Sequence, residues 1–267
     1  MNAAYVPLSA FDVALAAVFL VLNGALSIRF QLGLERRLAI SAARMVVQLL
    51  LIGLLLKTVF AISSPWLTAL VAAAMVGFAG YEVRARQSRR LAGPWGFGIG
   101  TGAMMTAGVM VTVFALTQID PDPWWSPRFA LPLFGMILGN TMTGVSLGLD
   151  NLSTAFWRER AAIEAQLLMG RTRWEATRPF ARAALRAGFM PIINAMAATG
   201  VVSLPGMMTG QILSGVDPQE AVKYQLLIMF LIAGATGLGV LGAVLLQVAR
   251  LTDERHRLRL DRLRAQT

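Results

Sequence analysis

The chain has 267 residues, 56% of them hydrophobic and only 14% charged, with a mean hydropathy of +0.62. A soluble domain carries about 25% charged residues, so this composition excludes an ordinary soluble enzyme and a disordered chain. The net charge is +10, cysteine is absent and His256 is the sole histidine, which excludes disulfides, thiolate metal centres, cysteine nucleophiles and three-histidine metal sites.

A membrane-crossing helix needs about 20 mostly apolar residues. In chain order, seven stretches qualify: 11–28, 38–60, 65–81, 95–116, 129–149, 189–213 and 224–248. The third is the shortest. None alternates with period two, which argues against a transmembrane barrel. Only helices satisfy their own backbone groups in lipid, so the expected fold is all-α: one polytopic membrane domain, 1–267, with seven transmembrane helices. No basic residue precedes Arg29, so the first stretch lacks the charged start of a cleaved signal peptide and is expected to remain as a helix.

The charges alternate from one connection to the next. Arg29, Arg36 and Arg37 follow the first stretch, and Arg84, Arg86, Arg89 and Arg90 follow the third. Seven arginines lie between the fifth and sixth stretches and six follow the seventh, so these connections hold 20 of the 24 basic residues. The others carry acids such as Asp120, Asp122, Asp217 and Glu220. By the positive-inside rule the N-terminus is expected outside and the C-terminus in the cytoplasm. Orientation and anionic lipid account for the basic charge, so membrane lipid is an expected partner and nucleic acid is not.

Within the second stretch Arg44 stands in an apolar setting, with Gln48 at i+4 on the same face. The pair either snorkels to the surface or bonds another helix inside the bundle. The fifth stretch carries Gly135, Gly139, Gly144 and Gly148 around Asn140. Small residues at this spacing permit close helix contact, and Asn140 is a candidate for the substrate path. Residues 150–188 form the one long connection, read as two helices around a turn at Gly170. Asn151 or Ser153 is placed to cap the first, Ile163, Leu167 and Leu168 form its apolar stripe, and Thr172 with Glu175 forms a capping box for the second. Pro179 is expected to stop or kink that helix. Such a pair is either a solvated linker or a docking element for a cytoplasmic partner.

The sixth stretch is interrupted at Ser203, Pro205 and Gly206, ahead of Met207. Broken helices expose carbonyls and mark transport sites, unless neighbouring side chains satisfy the break. The 14 methionines are soft ligands for Cu(I) or plain packing material. In the tail, Leu251, Leu258, Leu260 and Leu263 either lie on lipid or belong to a charged segment that only fixes orientation. No P-loop is present: Lys57 and Lys223 follow Leu56 and Val222 rather than glycine. ATP-driven transport would therefore need a separate ATPase subunit.

Four segments resemble a known family: ARMVVQLLLIGLLLK (43–57), GMILGNTMTGVSLGLDNL (135–152), GVVSLPGMMTGQILSGVDP (200–218) and AVKYQL (221–226). They are similar to the FetB family, the permease subunit of FetAB-type ABC transporters, linked to iron export. Where the family has a Leu-Gly-Ala-Thr turn, this chain reads Met169-Gly170-Arg171-Thr172. The resemblance implies a homodimer in a bacterial inner membrane, paired with a FetA-like cytoplasmic ATP-binding subunit and without a cofactor of its own. Plant relatives are associated with aluminium tolerance. Coupling to the ATPase would fall on Glu164, Leu168, Gly170, Thr172 and Glu175. The path would involve Asn140, Ser203, Pro205, Gly206 and Met207, with Arg44 and Gln48 as further polar candidates. The other reading is an ATP-independent ion carrier or channel.

Overall fold

Ser9 opens the first helix by accepting a hydrogen bond from the Asp12 amide, while the Asp12 carboxylate accepts from the Ser9 amide. From this capping box the computed structural model, which describes residues 9–264, is helical almost throughout. The described residues form two units, one ending at Ser63 and the other beginning at Ser64.

The first unit holds α1 (Ala10–Arg29) and α2 (Glu35–Ile62). The α1 end is closed by paired bonds from the amides of Leu32 to Ser27 and Gln31 to Ile28, with Gln31 left-handed at φ 54°. The buried Ser27 hydroxyl accepts from the Leu34 amide at 2.9 Å and donates to Glu35 at 2.9 Å, which pins the short turn. Only 6% of the apolar window of either helix is buried. Surfaces this apolar and this bare belong in lipid.

The second unit contains α3 (Pro65–Arg86), α4 (Trp95–Ile119), α5 (Pro127–Arg158), α6 (Arg160–Leu168), α7 (Arg173–Ala198), α8 (Gly206–Leu213) and α9 (Pro218–Leu251). Helix α5 is the axis, packed against α3, α4, α7 and α9. Its core runs in two layers. One gathers Val111, Leu133, Ile137, Ile192 and Ile228. The other gathers Val83, Leu149, Phe156, Ile163, Val244 and Leu251, near the arginine-rich helix ends.

Among the described residues six helices, α1 to α5 and α9, are long and apolar enough to cross a membrane. The expected short third crossing is a 22-residue helix. The expected sixth, 189–213, is divided. Its first half belongs to α7, which begins in the arginine-rich connection, and its second half is the eight-residue α8. Gly200 turns left-handed between them at φ 91°, and Pro205 supplies no amide to continue the helix.

Three other expectations change. Helix α5 does not end near residue 149 but runs to Arg158, because Leu152 and Phe156 bury their side chains in the core. Asn151 and Ser153 therefore lie inside a helix and cap nothing. Pro179 does not stop α7, which continues to Ala198, so of the two expected outcomes only a kink is compatible with the helix. The carbonyl it leaves without an amide is that of Glu175, at an exposed position open to water. The tail leucines do not lie on lipid. Leu251 and Leu263 are buried, and Leu258 and Leu260 pack on the same core. The tail is held there by backbone bonds from the Ala92 amide to Arg262 at 2.7 Å and from Arg264 to Arg90 at 2.8 Å.

Candidate functional site

The hairpin of α6 and α7 is built by two opposed end signals. Helix α6 closes with the Arg171 amide on the Gln166 carbonyl and the Gly170 amide on Leu167, around Gly170 at φ 83°. This double bond needs a left-handed residue after the last turn, which glycine adopts without strain. Helix α7 opens at Thr172, whose hydroxyl accepts from the Glu175 amide at 3.3 Å. Glu175 in return accepts from the Thr172 amide and hydroxyl, both at 2.8 Å. These bonds, the backbone one foremost, hold the Glu175 carboxyl below its ordinary range.

Packing fixes which way the hairpin faces. Ile163 is fully buried, Leu167 packs beside it, and Phe180 meets Phe156 edge to face at 6.3 Å. Leu168 does not share that stripe. It is 89% exposed, and Met169 beside it is 66% exposed. The hairpin is thus anchored on one side and presents a bare apolar tip on the other. Glu164, Gly170, Thr172 and Glu175 are exposed around it. Trp157 at the base takes the Arg89 guanidinium over its ring at 4.2 Å and that of Arg160 at 5.5 Å.

Two contacts at this end were invisible in the sequence pattern. The Ser88 amide donates to the Asp150 carboxylate at 2.6 Å, joining the α3–α4 loop to α5. The Arg173 amide donates to Nδ1 of His256 at 3.2 Å, joining the tail to the first residue of α7. Each joins segments more than 60 residues apart, and no local sequence pattern signals such a pairing.

The candidate path residues lie on α2, on α5 and at the break between α7 and α8. Asn140 lies on the exposed side of α5, where its amide donates to the Met136 carbonyl of its own helix at 2.8 Å. The break at 199–205 closes largely on itself. The amides of Val202 and Ser203 donate to Ala198, Gly200 donates to Ser203, and the Thr199 hydroxyl donates to Ala195. Val201 and Val202 at its tip are 92% and 82% exposed. Pro205 caps α8, Gly206 begins it, and Met207 packs into the core. Arg44 and Gln48 are exposed on α2. Among the described residues no cluster of His, Asp or Glu could hold a metal ion.

Glycines at the α5–α7–α9 crossing are used for contact. A Cβ on Gly144 would stand 2.7 Å from the Gly188 carbonyl and 2.8 Å from Thr236. Gly139 has nothing within 4 Å of such an atom.

Residues 10–252 match the Uncharacterised protein family UPF0014. The chain belongs to this family. Within UPF0014 it is 39% identical to the UPF0014 membrane protein slr1647 of Synechocystis over 75% of this chain and 77% of that one. It is 30% identical to the Probable iron export permease protein FetB of Escherichia coli over 95% of this chain and 96% of that one. It is 31% identical to Protein ALUMINUM SENSITIVE 3 of Arabidopsis thaliana over 83% and 80%. No solved structure matches it. The family match and the six long apolar helices together make this a multi-pass membrane protein.

Proposed function

We propose that the chain is the permease subunit of an ABC-type exporter of iron or a related metal ion in a bacterial inner membrane, working as a homodimer. The observation that carries this is the alignment with the probable iron export permease over 95% of the chain. The chain's lack of a P-loop supports a separate cytoplasmic ATPase. The exposed Leu168–Met169 tip on its anchored base is the surface that ATPase would grip. A seven-crossing topology, with the divided 189–213 stretch as one crossing, the N-terminus outside and the C-terminus inside, fits the charge alternation. Closure of the ATPase would pull on 164–175 and tilt α7 with it. That motion would rock α5 and the α7–α8 break around Asn140, Ser203 and Gly206. The metal would pass as cargo on side-chain oxygens and carbonyls, with the Met207 thioether among the candidate donors, because cysteine is absent and the one histidine lies in the tail.

The test is gentle purification of the tagged chain from its native membrane. A P-loop ATPase should copurify, and Leu168→Asp with Met169→Asp should release it while the permease stays folded. A chain that came out alone and still moved iron into liposomes would replace this reading with an ATP-independent carrier or channel.

A further inference from the structure

The seam between α4 and α9 carries an open furrow that the proposed transport cycle does not use. Its wider part, about 540 Å³, is lined by Trp95 and Gly98 of α4 and by Leu246 and Arg250 of α9. A second part, about 310 Å³, shares Leu246 and continues past Gly102 to Met110. From Trp95 to Met110 the furrow runs about 22 Å along the helix. One leaflet of hydrocarbon is about 15 Å deep, so the furrow matches an acyl chain plus the headgroup zone. Small residues on membrane helices commonly let two helices touch. Here Gly98 and Gly102 have nothing within 4 Å of where a Cβ would stand, so they keep the furrow open instead.

The mouth of the furrow is cationic. The Arg250 guanidinium lies over the Trp95 ring at 4.5 Å, and the Arg250 carbonyl accepts from Arg262 at 2.7 Å. Arg259, Arg262 and Asp261 stand around it. Asp261 is already engaged by a two-pronged bond from Arg259, at 2.9 and 2.8 Å. Among the described residues Arg250 forms no ion pair. A half-buried cation at the membrane boundary calls for an anion, and a tryptophan there marks the headgroup level.

We propose that this furrow binds an anionic phospholipid, with an acyl chain along Gly98, Gly102 and Met110 and the phosphate at Arg250 beside Trp95. A second copy of the chain fits the furrow less well. A two-fold axis along the membrane normal would bring the arginine-rich ends to the same level and against each other. The inference rests on the membrane placement alone and holds whether or not the chain is a permease.

The test is native mass spectrometry of the full-length protein in detergent, titrated with dioleoyl phosphatidylglycerol or dioleoyl phosphatidylcholine. Wild type should retain phosphatidylglycerol about fivefold better, the effect of one arginine near an anionic surface. Arg250→Gln should erase that preference and Arg250→Lys should keep it. Gly102→Leu, built into open space, should weaken retention of both lipids. Equal preference in wild type and Arg250→Gln would overturn the proposal. So would a Gly102→Leu variant that lost a dimer while binding lipid as before, since the furrow would then be a contact between copies.

Discussion

Arg173 donates its backbone amide to Nδ1 of His256, 83 residues further along the chain, at 3.2 Å. Arg173 is the first residue of α7, one of the positions whose amides have no partner within the helix. Thr172 and Glu175 satisfy their own pair of amides, and the tail supplies the next acceptor. His256→Ala is expected to free the Arg173 amide and loosen the start of α7. Losing a helix cap costs about 1 kcal/mol. Hydrogen–deuterium exchange at 173–175 should therefore rise about fivefold, with the crossing at Gly144 unchanged.

The capping box makes the same helix end sensitive to acid. The Glu175 carboxyl is held below its ordinary value by bonds from the Thr172 amide and hydroxyl. A lowered folded-state pKa gives stability that is present above the unfolded value, 4.5, and is lost as pH falls through the folded one. The 172–176 amides should thus stay protected at neutral pH and open under acid. Glu175→Gln keeps an acceptor but cannot titrate there, so in a His256→Ala background, which removes the neighbouring imidazole, its exchange should show no acid step. A step of equal size in Glu175→Gln would assign the effect elsewhere.

Helix crossings give a sharper contrast. Gly144→Ala would place a methyl against the Gly188 carbonyl and Thr236. Overpacking of this kind costs about 1–3 kcal/mol. Gly139→Ala, earlier on the same helix, meets nothing within 4 Å. It should be neutral or gain a few tenths of a kcal/mol from helix propensity. Thermal unfolding in detergent separates the two.

The apolar crossings were legible because lipid rewards uninterrupted apolar length, and α1 to α5 and α9 all have it. The ends were less so. Helix α5 continues past the apolar run on the strength of Leu152 and Phe156, which point inward at helical spacing among arginines and polar residues. The Thr172–Glu175 box was readable because its two partners lie three residues apart. Leu168 followed Leu167 in sequence but faces away from Ile163, a distinction only packing makes. His256 on Arg173 and Asp150 on Ser88 join distant segments, and no local pattern encodes such contacts.

Buried between α5 and α9, the Gln247 side-chain amide donates to the Ser153 hydroxyl, and both residues are fully enclosed. Ser153→Ala would leave that donor without its acceptor in a fully buried position, at about 1–3 kcal/mol. Pairing it with Gln247→Leu removes the stranded group and should recover most of the loss. A double-mutant cycle on unfolding reads the coupling. Additive losses would mean that the bond contributes nothing.

Asn140 and Ser203 test the path itself. The Asn140 amide is spent on the Met136 carbonyl, and the Ser203 hydroxyl donates to Ala198 at 3.4 Å, a long and weak bond. Neither bond carries much of the fold, because both side chains are exposed and local. If the side-chain oxygens serve a passing ion, Asn140→Ala and Ser203→Ala should lower iron export from loaded cells while leaving stability within about 0.5 kcal/mol of wild type. Full export by both variants would remove these two residues from the path. The oxygens then left beside the break would be those of α8 itself, the Thr209 hydroxyl and the Gln211 side chain, with the backbone carbonyls.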